Sequence, residues 1–396
     1  MAKISKDMWQ QLPKEEKDKD LILRPSLTYW QDAWRRLKQN KFSMLGLATI
    51  IILAILATFA PMVIAHDYSS QNLSLANIPA KIRIYKVSDD SYVYVHREYK
   101  IYNVTAKGEI LKRIREKEKN MKDNYNIYEL NGNTIKLDYH FARLKGDKNP
   151  ENIKFKLYVN DKEVSSSKNV RNKSYLFGTD TLGRDLLARV LFGARISLFI
   201  ALIATVVNFF IGVVYGGTSG YLGGKIDNIM MRIVDIISVI PLLLYVILLT
   251  VLIGTGLKSI IIAIGSVYWV GMARIVRGQV LSLKEQEYVL AARTLGASTM
   301  RIMFRHLIPN AMGPIIVAMT MMIPSAIFTE AFLSFIGLGV SPPIASWGTL
   351  ASDALTGLRS YPYQLFYPSA AICITMLAFN FLGDGLRDAL DPRLRK

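Results

Sequence analysis

The stretch that decides the fold runs from Glu287 to Asn310 and reads EYVLAARTLGASTMRIMFRHLIPN. It is basic and mildly amphipathic, and Gly296 interrupts it near its middle. Because glycine accepts the turn conformation that bulkier residues disfavour, the pattern predicts a short helix, a turn and a second short helix. Apolar segments flank it on both sides, so we expect this helical pair to lie at a membrane surface, where a partner could bind it.

Six apolar segments approach the roughly 20 residues that a helix needs to cross a bilayer. The predicted spans are Met44–Ala65, Ile196–Tyr215, Ile233–Ile253, Ile260–Val276, Ala311–Phe335 and Pro368–Leu386. Hydrophobic residues make up 51% of the chain and charged residues 20%, which is too mixed for a soluble domain. The composition therefore predicts an all-α polytopic membrane protein with both termini on one side.

Lysines and arginines in short connections indicate which side is cytoplasmic. They cluster before the first span, between the second and third, between the fourth and fifth, and after the last: Arg35, Arg36, Lys38, Lys41, Lys225, Arg232, Arg274, Arg305, Arg387, Arg393, Arg395 and Lys396. All four regions fall on one face, so both termini are predicted to be cytoplasmic. The expected divisions are a cytoplasmic segment at 1–43, a first span at 44–65, an external insert at 66–175, a core at 176–386 and a cytoplasmic tail at 387–396.

The insert is long, hydrophilic and net basic, yet the topology places it outside. Positive charge orients only loops shorter than about 60 residues, so the insert does not contradict the topology. Alternating apolar and polar residues at 81–87, 91–96 and 153–159 predict half-exposed strands, whereas the charge-rich residues 110–121 favour a helix. We expect a small β or α+β domain, and a partly disordered loop is the alternative.

Several functions are disfavoured by the sequence. The net charge of +18 is divided between the cytoplasmic face, where anionic lipids account for it, and the insert, and no nucleic-acid-binding motif accompanies it. Residues 216–225 are glycine-rich, but their spacing fails that of a phosphate-binding loop, so the glycines are expected to bring a helix end close to its neighbours. Cys373 is the single cysteine, and four scattered histidines predict no metal site.

Two acidic residues, Asp235 and Glu330, fall inside predicted spans. Ionisable residues in a membrane suggest function, here a proton relay in a secondary transporter. Both lie near a predicted interface, so pairing with a nearby donor is the favoured interpretation. A secondary transporter and a non-transporting membrane scaffold are kept as alternatives. Six spans without an inverted repeat weigh against the first, and a specific docking helix weighs against the second.

Three stretches together resemble one protein family. They are FGTDTLGRDLLARVLFGARISL at Phe177–Leu198, the segment at Glu287–Asn310, and EAFLSFIGLG at Glu330–Gly339 with Pro342-Pro343 and Ser346-Trp347-Gly348 beyond it. The chain resembles the permease subunits of ABC importers for oligopeptides, dipeptides and nickel, and in particular the C-type permease of an oligopeptide system. The resemblance covers residues 25–65 and 175–396 and leaves out the insert.

The resemblance implies a six-helix permease of the type I importer kind and a coupling segment at 285–310 that binds a cytoplasmic ATPase. The implied coupling residues are Glu287, Ala291, Ala292, Arg293, Gly296, Arg301 and Pro309. The small alanines would admit a close partner, the arginines would set register, and Pro309 would end the second helix. The general motif has its acidic residue where this chain has Leu290, and Glu287 supplies a carboxylate one turn earlier. An interfacial helix resting on lipid is the alternative.

The resemblance also implies the partners and the place in the cell. They are a B-type permease, two ATPases that bind ATP and Mg²⁺, and an external peptide-binding protein, with no cofactor in this chain and a bacterial cell membrane as the location. Residues at the external mouth are predicted either to gate the path and contact the binding protein or to form a salt-bridged scaffold: Asp180, Arg184, Asp185 and Arg195. Peptides are favoured over nickel because no histidine or methionine cluster lines a span, and oligopeptides are preferred over dipeptides.

Overall fold

The computed structural model describes residues 28–64, 66–89, 91–143, 154–164 and 167–391. Most of the predicted cytoplasmic N-terminal segment, at 1–27, lies outside the described residues. The same holds for residues 392–396, which include the predicted basic positions Arg393, Arg395 and Lys396.

Helices form most of the described chain. They are α1 Tyr29–Gln39, α2 Lys41–Val63, α3 Leu186–Leu222, α4 Gly224–Val239, α5 Leu242–Ile253, α6 Leu257–Val267, α7 Trp269–Leu283, α8 Glu287–Thr294, α9 Thr299–Ile302, α10 Ile308–Phe335, α11 Trp347–Ala354 and α12 Tyr363–Leu390. Side chains cap several N-termini, where the first backbone N–H groups have no helical partner. Asn40 accepts from the N–H groups of Phe42 and Ser43, and Asp185 accepts from that of Leu187.

Five helical stretches of the described chain are long and apolar enough to cross a membrane, or six if one bent pair counts as a single span. The bent pair is α4 and α5, which meet at 83° where a continuous span over Ile233–Ile253 was expected. Pro241 explains the break, because a proline lacks an N–H and disfavours helical backbone in the residue before it. The third expected span is therefore bent at Pro241, and the count stands at five or six.

Between α2 and α3 the chain forms two antiparallel five-stranded sheets, hereafter the β domain. The first sheet has the order β10-β1-β2-β3-β4 and the second β5-β6-β7-β8-β9. The strands are β1 Lys81–Ser88, β2 Ser91–Val95, β3 Ile101–Val104, β4 Ile110–Ile114, β5 Glu116–Asn120, β6 Tyr125–Leu130, β7 Asn133–Asp138, β8 Lys156–Val159, β9 Lys162–Glu163 and β10 Ser167–Arg171. Strands at 81–87, 91–96 and 153–159 were expected. β1 and β2 confirm the first two, and β8 confirms the third over Lys156–Val159, while Ile153 lies outside the described residues.

The two sheets share one hydrophobic core. Val93 and Ile101 from the first sheet pack with Ile135, Leu137 and Leu157 from the second. Alternate strand residues point inward because successive side chains lie on opposite faces. The expectation of a helix at 110–121 is wrong, since this region forms the edge strands β4 and β5, whose mostly exposed side chains hide the alternation.

The largest core of the helical bundle lies between α3, α6, α10, α11 and α12. Ile200, Ile264, Ile327 and Trp347 are at most 1% exposed, and Phe379 packs against the same cluster. Close van der Waals packing of these side chains helps to hold the helices together, because lipid tails leave no hydrophobic driving force between spans.

A polar seam joins the β-domain end of the bundle to α12. The Tyr363 hydroxyl shares its one proton between the carbonyl oxygens of Ile78 and Thr179, at 3.1 and 2.8 Å. The Gln364 Nε2 donates to Asn77 Oδ1 and to the Thr179 carbonyl oxygen, at 2.9 and 3.1 Å. These buried bonds fix the place where the chain leaves the β domain and enters the bundle.

Candidate functional site: the coupling segment and the charged cluster

The segment at 285–310, hereafter the coupling segment, forms α8, a turn and α9. Gly296 has φ +78° and lies in the turn, where its N–H donates to the Arg293 carbonyl oxygen at 3.0 Å. This left-handed conformation is strained for residues with a Cβ, which is why glycine stands here. Ser298 then caps α9 by accepting from the Arg301 N–H. The predicted helix, turn and helix are confirmed.

One face of the coupling segment packs into the bundle. Val289, Ile302 and Leu307 are at most 1% exposed and belong to a core cluster with Val276 and Val280 of α7. Ala292 is half-buried against the same cluster. Of the two alanines expected to face a partner, Ala291 alone is exposed.

The opposite face of the coupling segment carries exposed apolar side chains among charged ones. Leu295 is 87% exposed, Met300 is 62% exposed and Phe304 is 45% exposed. The exposed set on this face also includes Glu287, Tyr288, Leu290, Ala291, Arg293 and Arg301. Contiguous apolar side chains with a polar rim are typical of surfaces that bind another protein or a membrane.

Pro309 does not end the second short helix. α9 continues through a π-helical turn, Met303–Leu307, into α10, where Pro309 occupies the first turn. A proline is tolerated in the first turn of a helix because the N–H that it lacks would have no helical partner there. The coupling segment is thus rigidly continuous with α10.

At the β-domain end of the bundle, charged side chains converge in a buried cluster. Asp180 Oδ2 accepts from Arg184 Nε and from Arg189 Nη1, both at 2.6 Å. Its Oδ1 accepts from the N–H groups of Leu182 and Arg184, both at 2.9 Å. Asp180, Arg184 and Arg189 are each at most 6% exposed. A buried carboxylate with this many donors is fully hydrogen-bonded, as buried charges require.

Asp353 of α11 completes the cluster from the other side. Its Oδ2 lies 3.7 Å from Arg184 Nη2 and 3.6 Å from Arg189 Nη2. A cavity of about 210 Å³ opens beside Arg189 and Asp353 and is also lined by Ser341 and Ser352. Sequence reasoning missed Arg189, which lies in α3 close to Arg184 along the chain. It also missed Asp353, which is far away along the chain.

The other two residues predicted at the mouth lie elsewhere. Asp185 caps α3, and its Oδ2 is 3.2 Å from His66 Nδ1. Burial raises the pKa of Asp185, an effect that the Leu187 N–H and His66 oppose. Arg195 donates to the carbonyl oxygens of Ala57 and Thr58 in α2, at 3.2 and 2.8 Å. The structure therefore brings together Asp180 and Arg184 but not Asp185 and Arg195.

The two acidic residues in the spans have separate surroundings. Asp235 accepts from Arg274 Nη2 at 3.0 Å, and both side chains are about half exposed. Glu330 is fully buried and accepts from Ser197 Oγ at 2.8 Å and from Ser334 Oγ at 2.7 Å. The Trp347 N–H also reaches Ser197 Oγ, at 3.3 Å. The serines tie Glu330 of α10 to α3 and to the start of α11.

No group of three metal-ligating side chains occurs within the described ranges of the chain. Two groups of site residues remain together, in the coupling segment at one end of the bundle and in the charged cluster at the other, whereas Asp185, Arg195, Asp235 and Glu330 lie apart from both.

Two parts of the chain match known protein families. Residues 209–396 match the family described as the binding-protein-dependent transport system inner membrane component. Residues 28–80 match the N-terminal transmembrane domain of oligopeptide transport permease C. The chain is 42% identical over 396 residues to the oligopeptide transport system permease protein OppC of Bacillus subtilis (strain 168), with 100% of both chains covered. The chain belongs to the ABC importer permeases of the oligopeptide and dipeptide family.

Other relatives differ in how much of this chain they match. The dipeptide transport system permease protein DppC of Bacillus subtilis is 41% identical over 392 residues, which cover 98% of this chain and 94% of the relative. OppC of Escherichia coli (strain K12) is 47% identical over 232 residues, which cover 59% of this chain and 76% of the relative. The alignment with OppC of Bacillus subtilis covers this chain and that relative completely, so it includes the β domain.

A solved structure, of inward facing conformations of the MetNI methionine ABC transporter, aligns with 52% of this chain and 96% of its own. The TM-score is 0.41 and the identity 20%.

Proposed function

We propose that this permease is the C-type subunit of an ATP-driven peptide importer, and that it forms half of the translocation path and binds one ATPase through its coupling segment. Its full-length relatives are named for oligopeptide and dipeptide transport. Membership of the family supports peptides as the substrate, and we keep oligopeptides as the proposed class, although OppC and DppC match this chain about equally well.

The observation that carries the proposal is the two-sided packing of the coupling segment. Its inner face is buried with Val289 at 0% exposure, while Leu295 on the turn is 87% exposed. A helix that only covered lipid would need its apolar side chains on one membrane-facing stripe. Here the exposed apolar side chains lie on both sides of a glycine turn, from Leu290 before it to Met300 beyond it, among Arg293 and Glu287. This arrangement suits a groove on a partner protein.

The proposal includes an orientation. The coupling segment and both termini lie in the cytoplasm, and the β domain lies outside the cell membrane of a bacterium. α4 and α5 together form one bent span, which brings the number of spans to six. ATP and Mg²⁺ bind to the two partner ATPases, and this chain contributes no cofactor. A B-type permease supplies the other half of the path, and a peptide-binding protein delivers substrate from outside.

The proposed mechanism is alternating access. ATP and peptide bias one equilibrium between outward and inward states, so their effects on each other's binding must be reciprocal. The coupling segment would carry the motion of the ATPases into α7 and α10, which directly flank it. We place the charged cluster of Asp180 and Arg184 at the external mouth as a scaffold, because both side chains are buried and paired. The β domain would contact the binding protein or the B-type permease.

The experiment is a tagged pull-down in mild detergent, with ATPase activity measured in the eluate. Ala291→Glu places a charge on the exposed face, and Gly296→Asp forces a side chain into a φ of +78°. Both are expected to abolish co-purification of the ATPase. Lys119→Glu, an exposed charge reversal in the β domain, is the matched control and should retain it. A native chain that elutes without ATPase activity would contradict the proposal and favour a secondary transporter.

A further inference from the structure

An ion pair between the buried Asp227 and the partly exposed Arg277 joins three helices beside the coupling segment. Arg277 of α7 donates from Nε to Asp227 Oδ1 and from Nη2 to Asp227 Oδ2, both at 2.6 Å. Ser219 of α3 donates its hydroxyl to the same Oδ1. Asp227, in the first turn of α4, is 6% exposed. Two parallel bonds between guanidinium and carboxylate fix orientation as well as distance, which a single ion contact does not.

A stripe of glycines presses α3 against α7 at the same level. A Cβ at Gly212, Gly216 or Gly220 would lie 2.5 Å from Met272 Cβ, 2.2 Å from the Ala273 carbonyl oxygen or 2.8 Å from the Arg277 carbonyl oxygen, respectively. The two backbones are therefore in direct contact along two turns. Small residues spaced by four allow this close approach between helices in membranes.

Two further contacts reach from this unit into the coupling segment. Lys284, just after α7, donates from Nζ to the Gly220 carbonyl oxygen at 3.1 Å. The guanidinium of Arg293, on α8, lies 5.9 Å from the ring centroid of Tyr221. Val213 of α3 also shares a core cluster with Val289 of α8. The coupling segment is thus packed against the C-terminal ends of α3 and α7.

From these contacts we propose that Asp227 and Arg277 are positioning residues that lock α3, α4 and α7 into one unit with the coupling segment. This inference rests on the proposed function, because it assigns a role in transmitting ATPase motion. A displacement of the coupling segment then moves three helices together. Without the bidentate pair, α7 shifts against α4, and ATP hydrolysis no longer drives the transport path.

The test uses the assembled importer, with its ATPases and binding protein, in lipid vesicles. The readout is peptide imported per ATP hydrolysed, measured together with the amount of assembled complex. Arg277→Gln and Asp227→Asn should lower this ratio at least about tenfold, while the complex still hydrolyses ATP. Arg277→Lys keeps the charge but loses the second bond, so it should give an intermediate ratio. A residue with only a structural role would lower import and hydrolysis together and leave the ratio unchanged.

Arg274 provides a matched control on the same helix. It also bridges α7 to α4, through Asp235, but by one 3.0 Å bond between half-exposed side chains. Arg274→Gln should therefore leave the ratio at its native value. The inference would be overturned if the importer with Arg277→Gln kept the native ratio. If that variant does not assemble, a native ratio with Arg277→Lys would overturn it. Absence of ATPase from the native preparation would instead refute the proposed function, so the two failures are distinguishable.

Discussion

The two ends of the helical bundle are built in opposite ways. At the β-domain end, charged and polar groups are buried and hydrogen-bonded to each other, as with Asp180 and its two arginines. At the other end, the coupling segment leaves Leu295 and Met300 largely exposed. The first arrangement serves internal architecture, because the Asp180 carboxylate is hydrogen-bonded to both arginines. The second is incomplete without a partner. Substitutions at the β-domain end should therefore cost stability, and those on the exposed face of the coupling segment should cost partner binding.

The largest loss of stability is expected for Asp180→Ala. Removal of this carboxylate leaves Arg184 and Arg189 buried and without their shortest contacts, which costs about 3–5 kcal/mol when one partner of a buried pair is deleted. Asp235→Ala breaks a half-exposed pair and should cost less than about 1 kcal/mol. Thermal unfolding of the detergent-purified chain compares the two. Equal losses would show that burial does not distinguish these pairs.

Thr179→Val should cause the next largest loss of stability. The Thr179 hydroxyl accepts from the Ile78 N–H at 2.8 Å and donates to the Leu75 carbonyl oxygen at 2.6 Å, and the side chain is fully buried. Leaving these groups unpaired costs about 1–3 kcal/mol. Thr294→Val, in the coupling segment, removes one exposed hydroxyl and should stay within about 0.5 kcal/mol. The same unfolding assay applies, and a larger effect at Thr294 would contradict the comparison.

The seam between the β domain and α12 should weaken in acid. Burial lowers the pKa of His96, which stacks on Tyr361 and lies 3.1 Å from the Asn77 carbonyl oxygen. The unfolded chain therefore binds more protons than the folded chain, and stability falls as the pH drops through the unfolded pKa of about 6.5. The unfolding midpoint of the native chain should fall more between pH 7.5 and 5.5 than that of His96→Gln. An identical fall in both would exclude this histidine as the cause.

Leu295→Ser should leave stability almost unchanged. Its side chain is 87% exposed, so the effect on unfolding should lie within about 0.5 kcal/mol. Recovery of the ATPase in the pull-down should nevertheless fall by roughly 5–30-fold, which corresponds to a loss of about 1–2 kcal/mol of binding free energy. A variant that unfolds earlier and still binds the ATPase would reverse the expected pattern.

Periodic patterns in the sequence predicted the parts of the fold that depend on local order. β1 and β2 alternate between apolar and polar residues, and the long apolar helices exceed the span length, so both were recognisable. β4 and β5 were mistaken for a helix because edge strands expose both faces and lose their alternation. The break at Pro241 had a local signal, which the continuous apolar run on both sides masked.

The site divides in the same way. The turn at Gly296 was predicted because glycine readily adopts the positive φ that such a turn requires. The contact of Asp353 with Arg189 was not, since nothing in a single sequence relates two residues so far apart. Likewise Ala291 and Ala292 are neighbours in the chain but lie on different faces of α8, and only packing against α7 decides which one is exposed.

The most direct test of the coupling segment as the ATPase-binding surface is a cross-link. In a Cys373→Ser chain, which has no other cysteine, Leu295→Cys would be treated with a short bifunctional reagent in the assembled importer. The proposal predicts a product that contains an ATPase subunit, and no such product from Leu111→Cys, a position in the β domain that is also exposed, at 59%. An ATPase product from Leu111→Cys, or none from Leu295→Cys, would contradict it.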